Sequence, residues 1–337
     1  MEIPTEKTEP PGESLLSIRN LKTYFHVKEG LAKAVDGVSY DIGHGETLGL
    51  VGESGCGKTV SALSILKLLD VPPAEYHSGQ ILFRDQDLLK MTEDQMNAIR
   101  GRSISMIFQE PMTSLNPLLS IGFQIDEVMV NHLGLSPKQA RERTVELLDM
   151  VGIPLPRKRA KEYPHQLSGG MRQRIMIALA LACDPELLIA DEPTTALDVT
   201  IQAQILDIML SLQERFNTSI LLITHDLGVI AETAHRVAVM YAGRIVEEAD
   251  VKTLFKNPLH PYTRGLLRSV PNINRIDPSA RLQEISGMVP NLCRLPRGCA
   301  FYNRCDLREE RCRSEKPGLY CVENGHYVRC WLHQTRE

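Results

Sequence analysis

The sequence predicts an α/β fold in which a largely parallel, buried sheet is covered by helices. Two observations carry this. Thr47–Val51 is a short, continuously apolar run that leads into a glycine-rich turn, after which apolar residues recur at helical spacing from Val60 to Leu69. A second strand–turn–helix pattern starts at Leu187, and a third apolar run, Ser219–Thr224, follows. Strands without polar alternation, interleaved with amphipathic helices, read as a parallel sheet covered on both faces.

The remaining elements follow in order. Residues 1–13 are rich in Glu, Pro and Thr and lack an apolar stretch, so they read as a disordered lead-in without a secretory signal. Leu15–Leu21 and Ala34–Ile42 are short β-type runs punctuated by Gly30 and Gly37, which predicts an antiparallel sheet. From about Ile121 to Glu162 the pattern is helical, with Pro137 at a helix start behind Ser136. After about Asp250 the chain is punctuated by Asn257-Pro258, His260-Pro261, Val270-Pro271 and Asp277-Pro278, and a small appended region is expected over 251–337.

The 337 residues are 43% apolar and carry a net charge of −4, enough apolar surface for a core and no concentration of positive charge for nucleic acid. The longest apolar runs are too short to cross a bilayer, so any membrane role is expected to come through a partner.

Gly52-Glu53-Ser54-Gly55-Cys56-Gly57-Lys58-Thr59 has the spacing of a phosphate-binding loop between a strand and a helix. Its glycines let backbone N–H groups turn toward phosphate oxygens where side chains would clash. Lys58 is a point charge for the β- and γ-phosphates, and the Thr59 hydroxyl can ligate Mg²⁺. Cys56 reads as a small filler. Leu187-Leu188-Ile189-Ala190-Asp191-Glu192 is an apolar strand ending in two carboxylates, Asp191 suited to the Mg²⁺ shell and Glu192 to polarising a water.

Leu167-Ser168-Gly169-Gly170-Met171-Arg172-Gln173-Arg174, just ahead of that strand, resembles the signature sequence of ABC ATPases. The resemblance covers about 14–250 and implies a mixed-sheet core, an antiparallel β subdomain and a helical subdomain at about 110–165. It implies nucleotide contacts from Gly52 through Val60, a glutamine loop at Gln109 that meets Mg²⁺, and a D-loop at Ala196-Leu197-Asp198. It further implies a switch histidine at His225 and an aromatic ring on adenine at Phe25, with Tyr24 as the alternative. Ser168, Gly169 and Gly170 at a helix start form an anion site, which in this family faces the γ-phosphate of a second, head-to-tail subunit. A long coiled-coil insertion or a second ATPase domain, expected of soluble repair or translation ATPases, is absent from the sequence, and a kinase or GTPase would lack the Ser-Gly-Gly motif.

Phe108-Gln109-Glu110-Pro111-Met112-Thr113-Ser114-Leu115-Asn116-Pro117, Ala190–Gln204 and His260-Pro261-Tyr262-Thr263-Arg264-Gly265-Leu266-Leu267 are similar to segments of the dipeptide and oligopeptide importers, nearest to their D-type ATPases. That likeness implies ATP and Mg²⁺, a paired cassette subunit, two permease subunits docking near Met112–Leu119, a separate peptide-binding protein, and a place on the cytoplasmic face of the membrane. Nickel importers share most of these segments and remain an alternative for the cargo.

Six of the eight cysteines crowd the last 45 residues. With no export signal, a metal site is favoured over disulfides. Cys299, Cys305, Cys312 and Cys330 match the pattern that this family associates with a [4Fe–4S] cluster. Four thiolates suit either that cluster or zinc, and the missing Cys-x-x-Cys clamps favour iron–sulfur. Cys293 and Cys321 depart from the pattern and are extra or substitute ligands.

Overall fold

The computed structural model describes residues 14–109, 114–194, 198–269, 285–323 and 325–334. The lead-in, Glu110 to Thr113, Thr195, and Ala196 and Leu197 of the expected D-loop lie outside them. The chain divides into two compact units, one built from Met1–Gly43, Thr47–Leu89 and Ile223–Glu337, the other from His44–Glu46 and Lys90–Leu222.

The first unit opens with a four-stranded antiparallel sheet in the order β2-β1-β4-β5. Strand β1 (Ser14–Val27) pairs with β2 (Gly30–Gly43) and β4 (Ala74–Phe83), which in turn pairs with β5 (Gln86–Asp87). The strands run on through Gly37 instead of ending there. Asn20 (φ 47°) and Gly37 (φ 83°) take left-handed backbone where the β1–β2 register slips, so the glycine marks a bulge and not a strand end. The same unit carries β3 (Thr47–Val51), fully buried and parallel to β9 (Arg236–Tyr241). Beyond β9 the ladder turns antiparallel, through β10 (Arg244–Asp250) to β12 (His326–Val328) and β11 (Tyr320–Glu323). Residues after Val251 therefore add strands to the ladder that holds β3.

A buried charge cluster fixes β1 and β2 against β10. Tyr24 donates from its hydroxyl to Asp36 at 2.8 Å, and Arg244 forks onto the same carboxylate at 2.7 and 3.2 Å. Burial alone raises the Asp36 pKa, but the Arg244 guanidinium and the Tyr24 hydroxyl together hold it below the usual carboxylate range.

In the second unit β6 (Ile104–Ile107) runs parallel to β7 (Leu187–Asp191), which neighbours β8 (Ser219–Thr224). The helix Pro137–Met150 begins at Ser136 with a reciprocal capping box to Gln139, as the Ser-Pro start predicts. It packs on Ile121–Leu133 and on Gly169–Ala180, burying Ile125, Met129, Leu147 and Leu148. The long helix Val199–Phe216 ends at Asn217 in left-handed conformation.

Candidate functional site

The glycine turn after β3 is shaped by backbone packing as much as by space for a ligand. A Cβ on Gly52 would lie 2.2 Å from the Met240 carbonyl oxygen, and one on Gly57 would lie 2.1 Å from that of Ala34. Neither contact can be relieved by moving a flexible side chain. Gly57 (φ 106°) starts the helix Lys58–Ile65, two residues earlier than the apolar periodicity indicates, because a glycine in that conformation can turn a strand directly into a helix. Ser54, Gly55 and Thr59 form the exposed rim of the turn, while Cys56 is buried beneath it and its thiol is pushed up by burial. The Lys58 ammonium is tucked over the loop, donating to the carbonyls of Gly52 at 2.7 Å and Glu53 at 3.1 Å. His225 lies exposed just past β8, between Thr224 and Asp226, and Asp226 caps the helix Leu227–Thr233.

The two candidate aromatic rings of the first unit differ in exposure. Tyr24 is buried, stacked on His77 at 4.8 Å and hydrogen-bonded to Asp36. Phe25, next along β1, is half-exposed.

In the second unit Asp191 closes the buried strand β7, and Glu192 follows with φ 47°, a left-handed conformation uncommon for a non-glycine residue. The Gln109 side-chain amide donates to Glu192 Oε2 at 3.2 Å, which joins the expected glutamine loop to the expected acid. Ser168 caps the helix Gly169–Ala180 by accepting from the Met171 N–H. A Cβ on Gly169 would meet nothing within 4 Å, whereas one on Gly170 would press on Ile201 at 3.1 Å. Asp198 caps Val199–Phe216 through the Ile201 N–H at 2.9 Å.

Two residues of the Ser-Gly-Gly segment escaped the sequence reading. Buried Gln173 donates to the Pro193 carbonyl, tying the helix to the turn that holds Glu192. Arg174 donates to the Val151 carbonyl at 2.9 Å and to Gln204 at 2.7 Å. Gln173 lies in a segment already singled out, and its placement among apolar helix positions was the available signal.

Cys299, Cys305, Cys312 and Cys330 line one cavity, and neither Cys293 nor Cys321 is among the described residues that line it. Gly298 is required there, since a Cβ would lie 2.3 Å from the Cys312 carbonyl oxygen, which accepts from the Cys299 N–H at 2.8 Å. Burial, augmented by the neighbouring thiols, pushes Cys299 and Cys330 up to about 11, and burial raises Cys305 as well. Among the described residues no group of three or more His, Cys, Asp or Glu is spaced to hold a metal ion. No helix among them is long and apolar enough to cross a membrane.

A strand–glycine turn–helix crowned by Lys58, together with an acid-tipped parallel strand, belongs to the phosphate-loop nucleoside triphosphatases. The sequence profile of the family described as "ABC transporter" matches residues 35–195, and that described as "Oligopeptide/dipeptide transporter, C-terminal region" matches 246–312. The chain is 54% identical to the oligopeptide transport ATP-binding protein AppD of Bacillus subtilis (strain 168), over 95% of this chain and 97% of that protein. It is 50% identical to the dipeptide transport ATP-binding protein DppD of the same organism, over 96% of each. Among solved structures it resembles the dimeric, post-hydrolysis ATP-binding cassette MJ0796 bound to ADP and Pi, with 26% identity and a TM-score of 0.63 over 70% of this chain and 98% of that one. The chain belongs to the ABC transporter family and is one of its ATPases.

Proposed function

We propose that this chain binds and hydrolyses ATP to power import of dipeptides or oligopeptides across the cytoplasmic membrane. The observation that carries this is the pairing of the phosphate loop with a C-terminal region that matches the oligopeptide/dipeptide transporter profile over 246–312. Relatives named for oligopeptide and dipeptide transport, alike over nearly the whole chain, support peptide over nickel as cargo.

In this reading the rim amides of Ser54 and Gly55 and the Lys58 ammonium bind the β- and γ-phosphates, with Glu53, Cys56, Gly57 and Val60 shaping the same turn. Phe25 stacks on adenine; its half-exposed ring, beside an inward-committed Tyr24, supports that assignment. Thr59, Gln109 and Asp191 would hold Mg²⁺, which would supply neutralisation of the charge developing on the phosphates. Glu192 orients and polarises the attacking water, and His225 senses the γ-phosphate. Ser168, Gly169, Gly170 and Asp198 serve a second cassette subunit arranged head to tail, and pairing as such is supported by the dimeric neighbour MJ0796. ATP then joins the two cassettes and hydrolysis releases them, a two-state switch biased by γ-phosphate contacts. The pair sits peripherally on two permease subunits, supplied by a separate peptide-binding protein.

Cys299, Cys305, Cys312 and Cys330 hold a [4Fe–4S] cluster in this reading, with zinc as the alternative. Their shared cavity supports it. The cluster supplies a thiolate-ligated cross-link for the C-terminal region, and no step of ATP hydrolysis passes through it.

The test is ATP turnover by the chain reconstituted with its permeases and binding protein in liposomes. Stimulation by short peptides, with peptide accumulation inside, is expected. Stimulation by Ni²⁺ alone, or none by peptides, overturns the cargo assignment.

A further inference from the structure

We propose that Arg304 and Tyr262, both from the C-terminal region, are positioning residues of the phosphate loop that act on Lys58 through Glu53. The proposal rests on the nucleotide-binding reading of that loop. Every polar group of Glu53 except its exposed face is engaged. Its backbone N–H donates to the Tyr262 hydroxyl at 2.8 Å, and its carbonyl accepts from the Lys58 ammonium at 3.1 Å. Its carboxylate takes both arms of the Arg304 guanidinium, at 2.6 and 2.8 Å. The glutamate that helps hold the loop's one cation is thus itself held by two residues more than 200 positions away in sequence.

Arg304 is built into this place. Its side chain is 4% exposed, against 29% for Glu53. Nε donates to the Ser286 carbonyl at 3.1 Å and Nη2 to that of Ile285 at 3.2 Å, while Nη1 reaches the Tyr241 hydroxyl at 3.4 Å. The guanidinium lies over the rings of Tyr241 and Phe301, at 5.8 and 5.9 Å from their centroids. Tyr262 is fully buried and packs on Tyr241 and Phe301. A planar fork fixed on its other donors by carbonyls and aromatic faces can hold a carboxylate in one orientation, which a lysine ammonium cannot. Arg304 also directly precedes Cys305, so the segment that positions the loop is the one that enters the cysteine cavity.

A strut that only stabilised the fold would move the melting temperature and leave nucleotide affinity alone. A positioning role predicts a change in affinity of about tenfold, which is about 1.4 kcal/mol, with kcat at saturating ATP changed less than about twofold. The experiment measures ATP dissociation constants, KM and kcat on the full chain for Arg304→Lys, Glu53→Gln and their double variant, with Lys58→Ala alongside. The expected result is that each single change weakens ATP binding about tenfold and that the double variant is no worse than either single, the non-additivity of residues acting as a unit. Should the Arg304 variant fail to fold, Glu53→Gln, whose side chain is partly exposed and isosteric, decides the matter. Wild-type affinity in Glu53→Gln and Arg304→Lys, with binding lost in Lys58→Ala, overturns the positioning role alone. Wild-type affinity in Lys58→Ala overturns the nucleotide site on which it rests.

Discussion

Gln109 and Glu192 are joined directly, side-chain amide to carboxylate, at 3.2 Å, and Glu192 is held in left-handed backbone at φ 47°. Such a conformation costs a non-glycine residue roughly 1–2 kcal/mol and persists only where the surroundings enforce it. Here Gln173 anchors the neighbouring Pro193 carbonyl. Glu192→Gln keeps the shape and removes the charge, so ATP should bind with unchanged affinity while turnover falls at least a hundredfold. Phosphate release at saturating ATP checks this, and normal turnover removes Glu192 from its role.

The glycines of the phosphate loop should not be equivalent. Gly57→Ala sets a Cβ 2.1 Å from the Ala34 carbonyl oxygen in a chain already at φ 106°, and a loss above about 3 kcal/mol is expected. Gly55→Ala, at φ 77° with nothing within 4 Å, should lose only the left-handed penalty of about 1 kcal/mol. Urea unfolding of the two variants measures the difference. Equal losses contradict the packing argument.

Acid should weaken the C-terminal region before it weakens the rest. His260 is buried, and burial lowers its pKa from 6.5 to about 4; its Nδ1 accepts from the Tyr262 N–H at 3.0 Å, so the native ring is neutral. Between those two values the unfolded chain binds a proton that the native chain does not, and stability therefore falls as pH drops from 6.5 toward 4. The ceiling on the loss is about 3 kcal/mol. Glu247 is affected by burial, which raises its pKa, and by its hydrogen bonds with His326 and with the Leu259 and His260 N–H groups, which together lower it overall. Its contribution is lost at lower pH, from the ordinary glutamate value of 4.5 downward through its lowered native value. Melting temperatures from pH 7 to 4 check the trend, with His260→Gln flattening it.

The cysteines sort by position. Serine at Cys299, Cys305, Cys312 or Cys330 should each abolish bound iron in anaerobically purified protein, whereas Cys293→Ser and Cys321→Ser should leave it unchanged, since neither lines the shared cavity. Iron and acid-labile sulfide assays with a visible spectrum read this out. An iron-free, colourless wild-type chain contradicts the cluster, and bound zinc in its place selects the alternative.

The parts legible in the sequence were those with local causes. Thr47–Val51 and Ser219–Thr224 are strands with the ends their apolar runs indicate, and Ser136 caps the helix its Ser-Pro pair announces. The extent of β1 and β2 was not legible, because Asn20 and Gly37 are the residues left out of register where the β1–β2 ladder slips, and a lone glycine reads locally as a break. Nor was the Arg304–Glu53 pair, which joins residues 251 positions apart with no periodic signal between them. Phosphate-loop spacing names residues that meet a ligand. It says nothing of what holds them from behind.

The account rests on a triphosphate shared between two cassettes, bound at Lys58 of one and capped by Ser168 of the other. The most direct measurement is light scattering on the Glu192→Gln chain mixed with its paired cassette subunit, with and without ATP and with Ser168→Arg added. The account predicts that ATP assembles a stable pair, that removing nucleotide dissolves it, and that Ser168→Arg prevents assembly while Lys58 still binds ATP. Pairing that ignores ATP, or that survives Ser168→Arg, contradicts it.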